Sequence, residues 1–208
     1  MKYVMINTAG KTTEILAVNG DKSEWFCDND GMQASKVLLP AIDKMLDKLN
    51  TKPSECDFFA CVTGPGSFTG IRIGAVTVKT LCYALDKPAK GVVYNRMLAG
   101  SHGGKVVSVV YGWADMYYVA EYEDGNEIIA PAAMKKNEIE RFIRENAYDL
   151  LVTDERSHAV FGGELADERE CMRISIEKTD YIDGDKLEPL YAMLSQAERE
   201  LKNDTRSK

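Results

Sequence analysis

At 208 residues the chain is long enough for one large domain or two small lobes, and 45% hydrophobic with 28% charged residues is the balance of a globular protein with a sizeable core. Lysine and arginine number 26 against 33 aspartates and glutamates, a net charge of −7. An acidic surface repels phosphate backbones, which argues against unaided binding of nucleic acid but leaves room for an accessory to a nucleic-acid enzyme.

The cysteines (Cys27, Cys56, Cys61, Cys82 and Cys171) are odd in number and form no CxxC pair. Cys61 and Cys82 lie in apolar stretches, where buried thiols are common. Met1 leads directly into the strand-like Tyr3-Val4-Met5-Ile6, without a signal peptide, and no apolar run approaches the ~18 residues of a membrane helix. The expectation is a reducing, cytoplasmic setting away from membranes.

In chain order, residues 2–6, 13–18 and 23–27 read as strands, with Asn19-Gly20 as a hairpin turn. From Gly31 the period becomes helical, and Leu38, Leu39, Ile42, Met45, Leu46 and Leu49 form a wide apolar stripe over residues 32–49. Pro53 breaks that helix, and residues 58–62 read as a fully buried strand. A glycine-rich turn, Gly64-Pro65-Gly66-Ser67-Phe68-Thr69-Gly70, opens a helix over residues 67–85. After a Gly100–Gly104 junction the order restarts: strands at 106–111, 117–123 and 127–129, a helix at 136–146 and a strand at 150–152. A terminal helix is expected over 185–202. The second half thus repeats the first, with lobes at residues 1–100 and 101–208. Such a duplicated order resembles the actin-like ATPase superfamily, which includes sugar kinases and Hsp70-type chaperones. The expected fold class is α/β, two ribonuclease-H-like lobes, each a mixed sheet flanked by helices.

The glycine turn lies between a strand and a helix, where backbone N–H groups converge and favour anions. It is neither a Walker A loop nor GxGxxG, because Gly66 and Gly70 are four apart. Tight turning and close helix packing through Gly70 and Gly74 is the favoured reading over phosphate binding. Ser67 lacks a G-x-S-x-G elbow and reads as a helix N-cap.

Gly64–Gly74 closely resembles the GPGSFTGxRIG signature of the TsaB (YeaZ) family, paralogues of the catalytic TsaD subunit in bacterial synthesis of tRNA N6-threonylcarbamoyladenosine. Asn7-Thr8-Ala9, Leu38-Leu39-Pro40, Tyr118–Tyr122, Pro189-Leu190-Tyr191 and Ser195-Gln196-Ala197-Glu198 also resemble family motifs. In nucleotide-hydrolysing relatives an acidic residue ends the first strand of each lobe and organises the metal. Here Asn7 takes the first position, Tyr111-Gly112-Trp113 stands in place of Asp-Ala-Arg, and Met193 replaces an arginine. Hence no catalytic residue, cofactor or metal is expected. His102 and His158 are too far apart to form a chelating helix pair; His102 reads as a junction residue and His158 as part of a helix start. Phe161-Gly162-Gly163 reads as a plain turn, and Glu164, Asp167, Glu168 and Glu170 as a solvated helix face.

The resemblance implies a non-catalytic partner of TsaD, with the carbamoyl donor supplied by TsaC and the ATPase TsaE joining a ternary complex. It reaches tRNA only through the complex. It also implies pairing of the two first-lobe helices with TsaD or with a second copy, through Ser35, Leu38, Leu39, Ile42, Met45, Leu46, Gly70, Ile71, Gly74, Ala75 and Val78. On that view at least one apolar position must be exposed in the isolated chain, with Ile42 and Met45, and Val78 on the second helix, as the best candidates. The alternatives are a small actin-like-fold ATPase or kinase, which needs carboxylates supplied from elsewhere, and a self-associating homodimer with no tRNA role.

Overall fold

A computed structural model describes residues 1–28, 33–100 and 102–192. The first half runs β1 (Lys2–Asn7), β2 (Thr13–Asn19), β3 (Lys22–Asp28), α1 (Ala34–Lys48), β4 (Phe58–Gly64), α2 (Phe68–Leu85), β5 (Ala89–Val93) and α3 (Tyr94–Ala99). The second runs β6 (Lys105–Trp113), β7 (Met116–Glu123), β8 (Asn126–Lys135), α4 (Lys136–Glu145), β9 (Leu150–Thr153), α5 (Glu155–Phe161), β10 (Glu164–Leu165) and α6 (Glu168–Glu177). Both halves are therefore β-β-β-α-β-α-β-α. Their sheets match: β3-β2-β1-β4-β5 in one, β8-β7-β6-β9-β10 in the other. In each, a three-strand antiparallel meander is extended by two parallel strands.

The duplication expected from the first strands is real and extends further than the periodicity suggested. Each half gains a short fifth strand and a following helix (β5 and α3, β10 and α6), and α5 adds another helix to the second half; α3 and the two strands are too short for a periodic signal, while α5 and α6 fall where the sequence reads as a helix start at His158 and an acidic helix face. The strand expected at 127–129 reaches from Asn126 to Lys135, irregularly paired with β7. The expected terminal helix is corrected over its start: only a 3-10 turn at Gly184–Lys186 is helical there, and Leu187 to Ala192 are not. Its remainder, with Met193 and Ser195–Glu198, lies outside the described residues.

Strand alternation divides the core. On β1, Val4 and Ile6 face α1 and α2, with Leu38, Ile42, Met45, Leu46, Ala75 and Val78. Tyr3 and Met5 face the other way, into a cluster joining both sheets through Met97 and Leu98 of α3 and Met172 and Ile176 of α6. The outer face of the second sheet packs Val107, Val109 and Val119 on Ile139, the sole buried residue of α4. α3 and α6 thus lie between the halves, and what they carry is brought to the junction. Among the described residues no helix is long and apolar enough to cross a membrane.

Candidate functional site

The glycine turn holds the first strand against the second helix. Ser67 caps α2, its hydroxyl accepting from Gly70 N at 3.2 Å, as the sequence suggested. Ser67 N donates to Ala9 O at 2.9 Å, and the Thr8 hydroxyl donates to Gly70 O at 2.7 Å. A Cβ on Gly70 would run into the Thr8 carbonyl oxygen, and one on Gly74 would lie 2.6 Å from Thr8 Oγ1. These contacts favour the close-packing reading: two of the turn's amides are already occupied by the chain itself. The turn also receives the chain's later part, since Leu190 N donates to Thr63 O at 2.8 Å and Tyr191 stacks on Phe68 and accepts from Arg72.

The apolar residues singled out on α1 and α2 are mostly interior. Leu38, Ile42, Met45, Leu46, Ile71, Ala75 and Val78 are buried, as are Gly70 and Gly74. The expectation that Ile42, Met45 or Val78 stands exposed in the isolated chain is therefore not met: the whole inner stripe of both helices is needed to cover one face of the sheet. Ser35 and Leu39 are exposed, Leu39 at 57%. The pattern missed Val76, exposed at 62%, and Tyr83, at 92%, which lie seven residues apart on one face of α2. Their signal was present: they fall between the buried positions of the helix.

A second site lies between the halves, in a cleft of about 530 Å³ lined by Lys11, Thr12, Glu14, Tyr94, Asp154 and Glu168, among others. Asn7 sits opposite Glu14 in the β1–β2 register and is buried. Its Nδ2 donates to Glu14 Oε2 at 3.0 Å and to Glu168 Oε2 at 2.7 Å, and its Oδ1 accepts from Ala9 N. The Tyr94 hydroxyl donates to Glu168 Oε1 at 2.6 Å. Burial, and then the Glu14 charge, push the Glu168 carboxyl well above the usual carboxylate range. Burial likewise raises Glu14, against the lowering effect of its hydrogen bonds to Glu168, Asn7 and Thr12. Two carboxyls so placed share a proton. Burial also holds the Tyr94 hydroxyl well above its ordinary value, so it stays a donor.

At the corresponding place in the second half, Tyr111 offers its backbone N–H to Asp154 Oδ2 at 3.2 Å. Asp154 caps α5 through Ser157 N, is buried, and is raised by that burial. The strand ends thus lack carboxylates, yet Glu14, Asp154 and Glu168 bring carboxyl groups to the cleft from β2, the α5 cap and α6. The reading of Glu168 as part of a solvated face is corrected: α6 packs against α3, which turns its first residue inward, while Asp167 stays exposed and caps the helix. Among the described residues no group of three or more His, Cys, Asp or Glu is arranged to hold a metal ion. His158 lies in α5, its Nδ1 3.5 Å from Thr153 Oγ1, and His102 lies 3.6 Å from Glu164. Gly162 and Gly163 form the turn after α5.

A duplicated β-β-β-α-β-α-β-α unit with a cleft between its halves is the actin-like ATPase fold. A family model described as "TsaD: tRNA N6-adenosine threonylcarbamoyltransferase" matches residues 32–149, more than half of the chain. The tRNA threonylcarbamoyladenosine biosynthesis protein TsaB of Bacillus subtilis is 33% identical over 75 residues, which are 35% of this chain and 33% of the relative. The protein of the same name from Haemophilus influenzae is 39% identical over 54 residues, 26% of this chain and 23% of the relative. The matched stretches thus span about a third or less of these curated relatives. A crystal structure described as an uncharacterized protein with similarity to peptidase YEAZ, from Pseudomonas aeruginosa, superposes with a TM-score of 0.73 at 16% identity, covering 92% of this chain and 99% of that one. The chain belongs to this family, alongside its TsaB (YeaZ) members.

Proposed function

We propose that this chain is a non-catalytic partner subunit that assists TsaD in forming threonylcarbamoyladenosine beside the tRNA anticodon. It binds TsaD through the outer faces of α1 and α2. The observation that carries this reading is the exposure of Leu39, Val76 and Tyr83 on two neighbouring helices whose inner faces are already committed to the core. Scattered exposed apolar residues need no explanation, but an aromatic side chain 92% exposed on the same helix face as a valine is a surface suited to a partner. Family membership supports TsaD as the partner; on this reading TsaE joins the complex, tRNA is reached only through it, and the setting is the cytoplasm. A second copy of the chain would compete for the same face.

The test is association of the purified chain with TsaD by size exclusion and light scattering, together with threonylcarbamoyladenosine formation by the mixture. Val76→Glu and Tyr83→Glu should keep the native melting profile yet weaken association at least tenfold and lower product formation with it. Normal association by both folded variants would overturn the assignment of the face. The cleft supports a second reading, an ATPase or kinase, because Glu14, Asp154 and Glu168 are carboxyls brought from elsewhere. On the first reading the chain alone turns over no ATP with Mg²⁺ above background; a steady turnover abolished by Glu168→Gln would establish the second.

A further inference from the structure

A separate cavity of about 310 Å³ opens where β5, α3, β7 and the end of α6 meet, and it shares no lining residue with the cleft. Its size is at the small end for ligand pockets. Val92, Val93 and Ala99 give part of it an apolar wall. Three features of the remaining wall are polar. Tyr122 is only 1% exposed, and its hydroxyl has no hydrogen-bond partner among the described residues. Arg96 lies close enough for its charge to act on that hydroxyl, and among the described residues it forms no ion pair. Lys178, by contrast, is committed, donating to Gly100 O at 2.6 Å.

A buried hydroxyl without an acceptor and an unpaired guanidinium beside it are complementary to one kind of group. We propose that this cavity binds a small organic carboxylate, its oxygens accepting from Arg96 and Tyr122 and its apolar body resting on Val92, Val93 and Ala99. A dianion such as phosphate fits less well. Among the described residues only one uncommitted cation faces the site, and Asp180 also stands in the wall. Burial keeps the Tyr122 phenol protonated well above neutrality, so it is a donor at any working pH. Because the walls come from both halves of the chain, an occupant ties them together.

The test uses the full chain and a panel of probes: benzoate, phenylacetate and hexanoate, each beside its neutral amide, with inorganic phosphate as the charge control. Calorimetric titration and thermal melts are read for the wild type, Arg96→Met and Tyr122→Phe. At least one carboxylate should bind saturably and raise the melting temperature. Its amide should bind at least tenfold more weakly, and Arg96→Met should cost at least tenfold in affinity. Tyr122→Phe should cost several-fold in affinity while melting no lower than wild type without ligand, since it removes a hydroxyl that has no partner. Saturable binding of none of the carboxylates, equal binding of acid and amide, preference for phosphate, or full affinity in Arg96→Met would each overturn the proposal. If Tyr122→Phe melts lower, the hydroxyl has a partner in the empty protein and its part in the site is refuted. Arg96 is exposed, so its variant should fold and decide the question by itself.

Discussion

Replacing Glu168 by glutamine tests the proton shared across the cleft. In the native chain Glu14 and Glu168 both accept from Asn7 Nδ2, and Tyr94 closes the other side of Glu168 at 2.6 Å. Asp154 and Glu155 add negative charge nearby, and Lys11 is engaged by Glu155. Both glutamates therefore hold their protons more tightly folded than unfolded, where a glutamate titrates near about 4.3. The sign follows from linkage: the folded state binds more protons, so this contribution is complete at low pH and is lost as pH rises through the raised folded values. The glutamine of Glu168→Gln is neutral at every pH; its carbonyl can still accept from Asn7 Nδ2 on one side while its amide donates to the Tyr94 hydroxyl oxygen on the other. A buried charged group without its full set of partners costs on the order of 1–2 kcal/mol or more, so the variant should be more stable by about that much at pH 8. In a chain of this size that corresponds to roughly 2–8 °C in Tm. The assay is thermal melting at pH 5 to 9. The wild type should lose stability as pH rises, while the variant should be flatter, higher at pH 8 and close to wild type near pH 5. Asp154, also raised, leaves a residual slope. A wild-type profile flat across this range, or a variant less stable at pH 8, refutes the shared proton.

Gly70→Val should destabilise by about 3 kcal/mol, because backbone at Thr8 rather than a movable side chain blocks the new Cβ; Ser67→Ala should cost only about 1 kcal/mol, as a lost cap. Denaturant unfolding of the two variants checks the difference, and equal effects would refute close packing. Met45→Glu buries an unpaired charge and should cost about 3 kcal/mol or more, whereas Val76→Glu on the exposed face of α2 should change stability by less than about 0.5 kcal/mol; a stable Met45→Glu chain would mean that the inner stripe is misplaced. Asn7→Asp should lower the melting temperature more at pH 8 than at pH 5, and an unchanged profile would show that the amide is not the donor joining the two glutamates.

The legible part of the fold was carried by long periodic segments. The strand-like segments at β1, β2 and β6, the helical stripe from Leu38 to Leu49 and the turn at Asn19-Gly20 made the repeated order visible. The segments missed are short, and α3 has almost no polar face to reveal a period, because both its sides are covered. On α1 and α2 the pattern identified the apolar stripe but not which residues the sheet would consume. A sheet face covered by two helices takes the whole stripe, and exposure falls on the residues between. At the cleft, Glu14 carried a signal: a charge inside an otherwise apolar strand, opposite Asn7 once the hairpin register is drawn. Glu168 carried none. The other acids of that run, Glu164, Asp167 and Glu170, are exposed or half-exposed, and only the seating of α6 against α3 separates Glu168 from them.

The amide at Asn7 follows from those two glutamates. A carboxylate at the end of the first strand is useful where a cation stands before it, because its oxygens are acceptors only. Here the groups before that position are themselves acceptors, Glu14 on the adjacent strand and Glu168 on α6. A third carboxylate would add repulsion in a buried site and remove both hydrogen bonds. An amide supplies donors to both glutamates while its oxygen still accepts from Ala9 N. Asn7, Glu14, Tyr94 and Glu168 thus form one hydrogen-bonded group in which the amide and the phenol supply the donors that the two carboxyls need. A hydrogen-bond donor is thus what the strand end needs here, and an amide meets that need where a carboxylate does not.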